Sequence, residues 1–248
     1  MFQSQFSLTG IKTTLALGMI GFFLALAPAS ATVVTGHLGI SAGPGGGVTV
    51  DTGTIIFGNN LFSVGGSPPN TGYFTNPFDA GGANPYQGTI LNLDNGVQIT
   101  GSTFSLPNFL TFYNDVTTFE LTYIAPGVNG SGDCGLPAAA GQKCTPILPM
   151  GLSPFNLANT PDGGSTASFS VSGLVHNGSD VSAFTGTFSN TFNNMTFQQV
   201  LLVLANEGQV SSTWSATFDV YAVPEPASMG LVGLTLAGIA TYLRRRNA

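Results

Sequence analysis

At 248 residues, with 6% charged side chains against a usual share of about 25% and a net charge of −6, the chain lacks the Lys- and Glu-rich surface of an ordinary cytosolic enzyme. Its polarity comes from Ser, Thr, Asn and 34 glycines, residues that suit strands and turns better than helices. All eleven acids lie between Asp51 and Glu225 beside a single cation, Lys143, and such a field repels phosphate backbones, so nucleic acid is excluded as a partner.

The first element is a targeting segment. Lys12 precedes an apolar stretch from Leu15 to Leu26, and Pro28-Ala29-Ser30-Ala31 follows, in which Ala29 and Ala31 form the small-x-small pattern read by signal peptidase. Residues 1–31 are therefore expected to be a signal helix, with cleavage before Thr32. An exported chain meets oxidising conditions, which bears on its two cysteines. Cys134 and Cys144 lie in a Gly- and Pro-rich loop without histidine neighbours, and two thiolates alone cannot make a four-ligand zinc site. A disulfide closing that loop is the expectation.

Residues 32–222 are long enough for one β domain. Strands are expected at 33–40, 47–57, 88–93 and 96–101. Phe119, Leu121 and Tyr123 alternate with Thr118, Glu120 and Thr122; Ala167, Phe169 and Val171 alternate with serines; Phe184, Gly186, Phe188 and Phe192 continue the pattern. Trp214, Ala216, Phe218 and Val220 share one face of 213–221, opposite Thr213, Ser215, Thr217 and Asp219. Asp94-Asn95-Gly96 and Asn177-Gly178 supply hairpin turns. The stretch from Gly65 to Gly88 reads as a surface loop. One helix is expected after Thr196, with Gln199 in the capping-box position and Gly208 as the stop, although Val200, Leu202 and Leu204 also alternate as in a strand. The expected fold is all-β, an antiparallel sandwich or jelly roll with at most one short helix.

Motifs with catalytic overtones lack their structural context. Gly39-Ile40-Ser41-Ala42-Gly43 matches a nucleophile elbow, but Pro44 and three glycines follow where a helix is required. Gly130 to Gly135 matches a dinucleotide fingerprint yet opens onto Leu136-Pro137. His37 and His176 have no second ligand at metal spacing, and His176 reads as a turn residue. Asp115 with Glu120, or Asp51 with Asp180, are the carboxylate pairs a glycosidase would need. Asp51, Asp94, Asp162 and Asp219 are candidate calcium ligands, with solvated turn carboxylates as the favoured reading. The body is expected to be no enzyme and to need no metal or cofactor.

The last segment, 223–248, opens with Val223-Pro224-Glu225-Pro226. An uncharged apolar run from Pro226 to Leu243 follows, near the lower end of the about 17–25 residues that span a bilayer. Arg244, Arg245 and Arg246 come next, a cluster expected to stay cytoplasmic and hold the body outside, so a transmembrane helix is predicted.

This order of elements resembles the PEP-CTERM sorting signal of Gram-negative bacteria. The resemblance covers only the last 26 residues. It implies an exosortase-type membrane enzyme that processes the chain near Pro224-Glu225-Pro226, after anchoring in the inner membrane, and passes it to the cell surface or extracellular matrix. Signal peptidase, that enzyme, the membrane and extracellular polysaccharide are the expected partners. The expected function is a structural or adhesive component linked to exopolysaccharide or biofilm. The alternative is a carbohydrate-binding module or weak glycan-active enzyme on a β-sandwich, in which Tyr73, Tyr86 or Tyr113 would stack on sugar rings while Trp214 belongs to the core.

Overall fold

A computed structural model describes residues 33–65, 68–75, 87–148, 151–223, 233–239 and 244–245. The chain divides into two units, Met1–Thr32 and Val33–Ala248, and every described residue belongs to the second. Its strands are β1 (Gly36–Ala42), β2 (Val48–Asp51), β3 (Thr54–Phe57), β4 (Leu61–Val64), β5 (Gly88–Ile90), β6 (Leu93–Asp94), β7 (Thr103–Phe112), β8 (Thr118–Ile124), β9 (Lys143–Cys144), β10 (Asn156–Asn159), β11 (Ser165–Asn177), β12 (Asp180–Phe192), β13 (Gln209–Ser212) and β14 (Ser215–Ala222), with helix α1 (Phe197–Glu207) before β13.

The antiparallel all-β architecture closes into a ring. The larger sheet runs β12-β14-β1-β4-β5-β7-β8-β11, and β11 pairs back onto β12, making an eight-stranded barrel with sandwich-like packing. β10 pairs with the first part of β11 and carries β9, while β8 takes the second part. A second sheet, β13-β2-β3-β6, contributes Val48, Ile55, Phe57 and Leu93 to the same apolar cluster. Closure leaves the barrel strands few unpaired edges, which is how all-β proteins avoid edge-to-edge association.

Phenylalanine fills the interior. Phe109, Phe119, Phe184, Phe188 and Phe218 are fully buried, Phe169 stacks on Phe188 at 4.8 Å, and Phe184 meets Phe218 edge-on at 5.6 Å. Such pairs add about 0.5–1.5 kcal/mol each beyond their burial. Glycines make room for the rings: a Cβ on Gly186 would stand 2.4 Å from Phe218 Cδ1, and one on Gly173 2.7 Å from Phe184 Cε1.

The alternations expected in β11, β12 and β14 are present, as is the helix. Thr196 donates its N–H to Gln199 Oε1 at 2.9 Å in a capping box, and Gly208 ends α1 at φ 77°. Four expectations are corrected. The expected strand at 47–57 is the β2–β3 hairpin, because the Asp51 carboxylate accepts the N–H groups of Gly53 and Thr54 at 2.7 and 2.6 Å and turns the chain. Residues 96–101 form no strand. Val97 and Gln98 both donate to the Asp94 carbonyl, so the segment spends its bonds on turns and the strand begins at Thr103. Tyr123 does not continue the inward row of Phe119 and Leu121. The β8–β11 register shifts at Ser172/Gly173, turning Ile124 inward and Tyr123 outward. In the 65–88 loop Phe74 is fully buried, so that loop adds to the core.

The connections sort into two poles. The start of β1, the β4–β5 and β7–β8 connections, the β11–β12 turn and the end of β14 share one pole. The second sheet, the β8–β11 excursion through β9 and β10, and α1 with β13 leave from the other. Overpacking of a filled interior predicts that Gly186→Ala lowers stability by about 1–3 kcal/mol, read as a shift of the urea midpoint; an unchanged midpoint would mean that the Phe218 ring is free to yield.

Candidate functional site

The C-terminal junction grows directly out of the barrel. Val220 is registered with Gly36 at the start of β1, and Ala222, the last residue of β14, with Ser182. Val223 follows, 44% exposed, and Pro224 has no N–H with which to extend a ladder. Both ends of the body, Val33 and Val223, therefore leave from neighbouring strands at one pole. Pro224, Glu225, Pro226 and Arg246 lie outside the described residues, as do Ala29, Ala31 and Thr32 at the expected signal cleavage. Residues 233–239 are helical, with Leu234, Leu236 and Ile239 exposed, and Arg244 and Arg245 are helical and exposed too. Among the described residues no helix is long and apolar enough to cross a membrane, and most of the expected span from Pro226 to Leu243 lies outside them.

The expected disulfide is present. Cys134, in a 3₁₀ turn at Gly132–Gly135, bonds Cys144 in β9 with the Cα atoms 5.3 Å apart. Cys144 is fully buried in a cluster with Leu157, Ala167 and Phe197, so the bridge ties the β8–β11 excursion to the packing beneath α1.

The other candidates are held in separate local networks. Glu120 accepts hydrogen bonds from Ser105 Oγ at 2.6 Å and lies 2.9 Å from His176 Nε2; the Ser105 hydroxyl first, then His176, hold its carboxyl below the usual range. His176 is thus a strand residue of β11, paired with Thr118, rather than a turn residue. Asp115 accepts from Tyr73 Oη at 2.9 Å and from Thr117 N–H at 2.7 Å. Burial first, then the neighbouring Asp115 carboxylate, raises the Tyr73 phenol, against lowering by Thr117. Thr117 and Phe119 are fully buried whereas Thr118 and Glu120 face outward. Asp115, in the connection before β8, and Glu120, on the strand's outward-facing row, are thus held in separate hydrogen-bond networks with no shared partner among the bonds described.

Asp51 and Asp180 are also apart. Asp51 lines a cleft with Ile124, whose β11 partner Val171 lies six residues from Asn177 beside Asp180, about 20 Å along the strand. Of the four candidate calcium ligands, Asp51 and Asp94 close turns, Asp162 accepts from Thr160 and Gly164, and Asp219 meets His37 Nδ1 at 2.8 Å. For Asp51, burial opposes ionisation, but the bonds from Gly53 and Thr54 outweigh it and lower its pKa. Among the described residues no group of three His, Cys, Asp or Glu side chains is arranged to hold a metal. Ser41 lies within β1, registered with Ser63 and Ser215, and no helix follows it.

A folded body whose last strand runs without a spacer into proline-flanked glutamate, an apolar run and arginines is that of a protein sorted through its C-terminus. The family model for the PEP-CTERM protein-sorting motif matches residues 222–246, a span that takes in Val223, Pro224, Glu225, Pro226 and the three arginines. That motif marks an exported protein sorted by exosortase, which processes the membrane-anchored C-terminal signal at the membrane. Apart from Ala222, the last residue of β14, the match lies in the tail and not in the body. No curated protein and no solved structure matches the chain.

Two outcomes test these networks. Replacing both cysteines by serine should cost about 2–3 kcal/mol of unfolding free energy, the usual scale for a loop of this size, and equal stability with and without the bridge would contradict its place in the packing. For Glu120 the folded pKa is depressed, so its contribution is fully present above the unfolded value of about 4.3 and is lost as pH falls through the folded value. Denaturant midpoints should therefore decline more steeply below about pH 4.3 in the wild type than in Glu120→Gln. Parallel curves would leave the Ser105–Glu120–His176 network without a pH-linked role.

Proposed function

We propose that the barrel is the cargo of a C-terminal sorting signal, delivered to the cell surface or extracellular matrix of a Gram-negative bacterium as a structural or adhesive component associated with exopolysaccharide. The observation that carries this reading is the junction, where the matched motif begins on the last residue of β14, leaving a complete barrel on one side of Val223 and the sorting signal on the other. The low-charge, Ser- and Thr-rich outer strands support a role in a hydrated polysaccharide matrix, which asks for hydrogen bonding and little net field. In this reading the body acts without catalysis, the span from Pro226 to Leu243 is a transmembrane helix, and the arginines hold its far end in the cytoplasm.

A second reading, a carbohydrate-binding module, is favoured by one feature: rows of outward Ser and Thr side chains registered across β11, β12 and β14. A glycan array with the purified protein and a biofilm assay on a deletion strain separate the two. Specific sugar retention favours the module. Its absence together with a biofilm defect favours the structural component.

Sorting itself is tested in cells. Glu225→Ala, or loss of Arg244, Arg245 and Arg246, should leave the chain in the membrane fraction with its tail uncut. In the wild type, intact mass should place the processed C-terminus at or beyond Val223, because cleavage earlier would strip registered residues from β14. Surface delivery unchanged in both variants would sink the sorting mechanism.

A further inference from the structure

We propose that the outer face of β8, β11, β12 and β14 carries a binding subsite for a neutral, hydroxyl-rich saccharide, centred on Tyr123 and Asp219. An open groove of about 290 Å³ lies there, lined among others by Tyr123, Ser170, Thr185, Thr187, Thr217 and Asp219. That size is at the lower end for small-molecule sites and suits a sugar unit or two.

Register builds the groove. One row crosses the strands as Tyr123, Ser172, Thr185, Asp219 and His37, and the next as Ser170, Thr187 and Thr217. Neighbouring strands lie about 4.8 Å apart and same-face residues about 6.7 Å along a strand, so the hydroxyls form a regular lattice. A ligand matching it must carry many groups that both donate and accept, since each Ser or Thr hydroxyl does both. Asp219 is 76% exposed, and with Oδ1 on His37 Nδ1 its other oxygen faces outward as an acceptor for a sugar hydroxyl. Tyr123 adds the apolar surface on which a pyranose ring packs. It is there only because the irregularity at Ser172/Gly173 turned it out of the core, and bulges re-aim side chains in this way at binding sites.

Charge decides which saccharide. The groove has a carboxylate and no Lys or Arg among its lining residues, so an acidic sugar would meet repulsion without a partner. Asp219 also lies four residues, about 13 Å, before Val223, so the groove opens sideways on the barrel wall and stays accessible while the C-terminus is anchored. The proposal deepens the carbohydrate-binding reading and rests on it.

The test is calorimetric titration of the full chain in detergent with neutral gluco-, manno- and galacto-hexaoses, and with a hexuronate as the acidic comparator. At least one neutral hexaose should bind, about tenfold or more tightly than the hexuronate. Tyr123→Ala should weaken binding by about fivefold to tenfold, the scale of one aromatic contact, and the near-isosteric Thr187→Val by about fivefold, while Tyr221→Ala, an exposed residue outside the groove, should change nothing. Unchanged far-UV circular dichroism and thermal midpoint of Thr187→Val keep the result interpretable should Tyr123→Ala be unstable. Binding that both groove variants leave intact would overturn this subsite while the carbohydrate-binding reading survives. Binding of no neutral hexaose, or stronger binding of the hexuronate, would overturn the subsite, and the first of these would remove the carbohydrate-binding reading with it.

Discussion

The pairing of β11 with β12 is the constraint on which the barrel depends. Each of the thirteen residues from Ser165 to Asn177 is registered with a residue of Asp180–Phe192 across the two-residue turn Gly178-Ser179, with Gly178 at φ 61° as such a tight turn requires. From this hairpin the sheet runs outward in two directions, through β14 and β1 on one side and β8 and β7 on the other, until β4 and β5 join the arms. A one-residue slip in the hairpin would reverse every face. Phe169, Phe184 and Phe188 would then point outward, and the serines and threonines of the outer rows would be buried without partners.

The long inward alternations were legible because they are local. Phe169 and Val171, or Phe218 and Val220, declare their face within a few residues, and Thr196, Gln199 and Gly208 declare the limits of α1 within one helix length. What escaped depends on partners distant in sequence. β7 holds Pro107 and a left-handed Asn108 at φ 56° and shifts register twice against β8, so no unbroken alternation marks it and it is not among the expected strands. That the sheets meet as a ring follows from pairings such as β1 with β4 and β5 with β7, which no local pattern announces. Tyr123 was assigned inward by strict alternation, and only a count of residues on both strands exposes the shift.

The same distinction separates the two functional regions. The sorting tail is a linear signal, three elements in a fixed order, and needs no fold to be recognised. The groove is a product of register: Tyr123, Ser172, Thr185 and Asp219 come from four strands and are neighbours only once the barrel has closed. Of the aromatics expected to stack on sugar, Tyr86 lies outside the described residues, and Tyr73 and Tyr113 lie elsewhere. Tyr73 is engaged with Asp115 and Thr117, and Tyr113 sits beyond the end of β7.

Topology then ties the body to its tail. Antiparallel up-and-down strands place the start of β1 and the end of β14 at one pole, so the expected signal peptide and the sorting motif join the barrel on neighbouring strands. Only Pro224 and Glu225 separate Val223 from the apolar run, a reach of about 10 Å even if fully extended. On the proposed reading that a membrane holds that run, this pole would lie close to the surface, and the second sheet, the disulfide excursion and α1, which leave from the other pole, would be carried away from it. Because β14 is hydrogen-bonded on both sides, to β1 and to β12, an enzyme working in the membrane plane can cut the tail without drawing a strand out of the barrel, and the released body keeps its closed sheet.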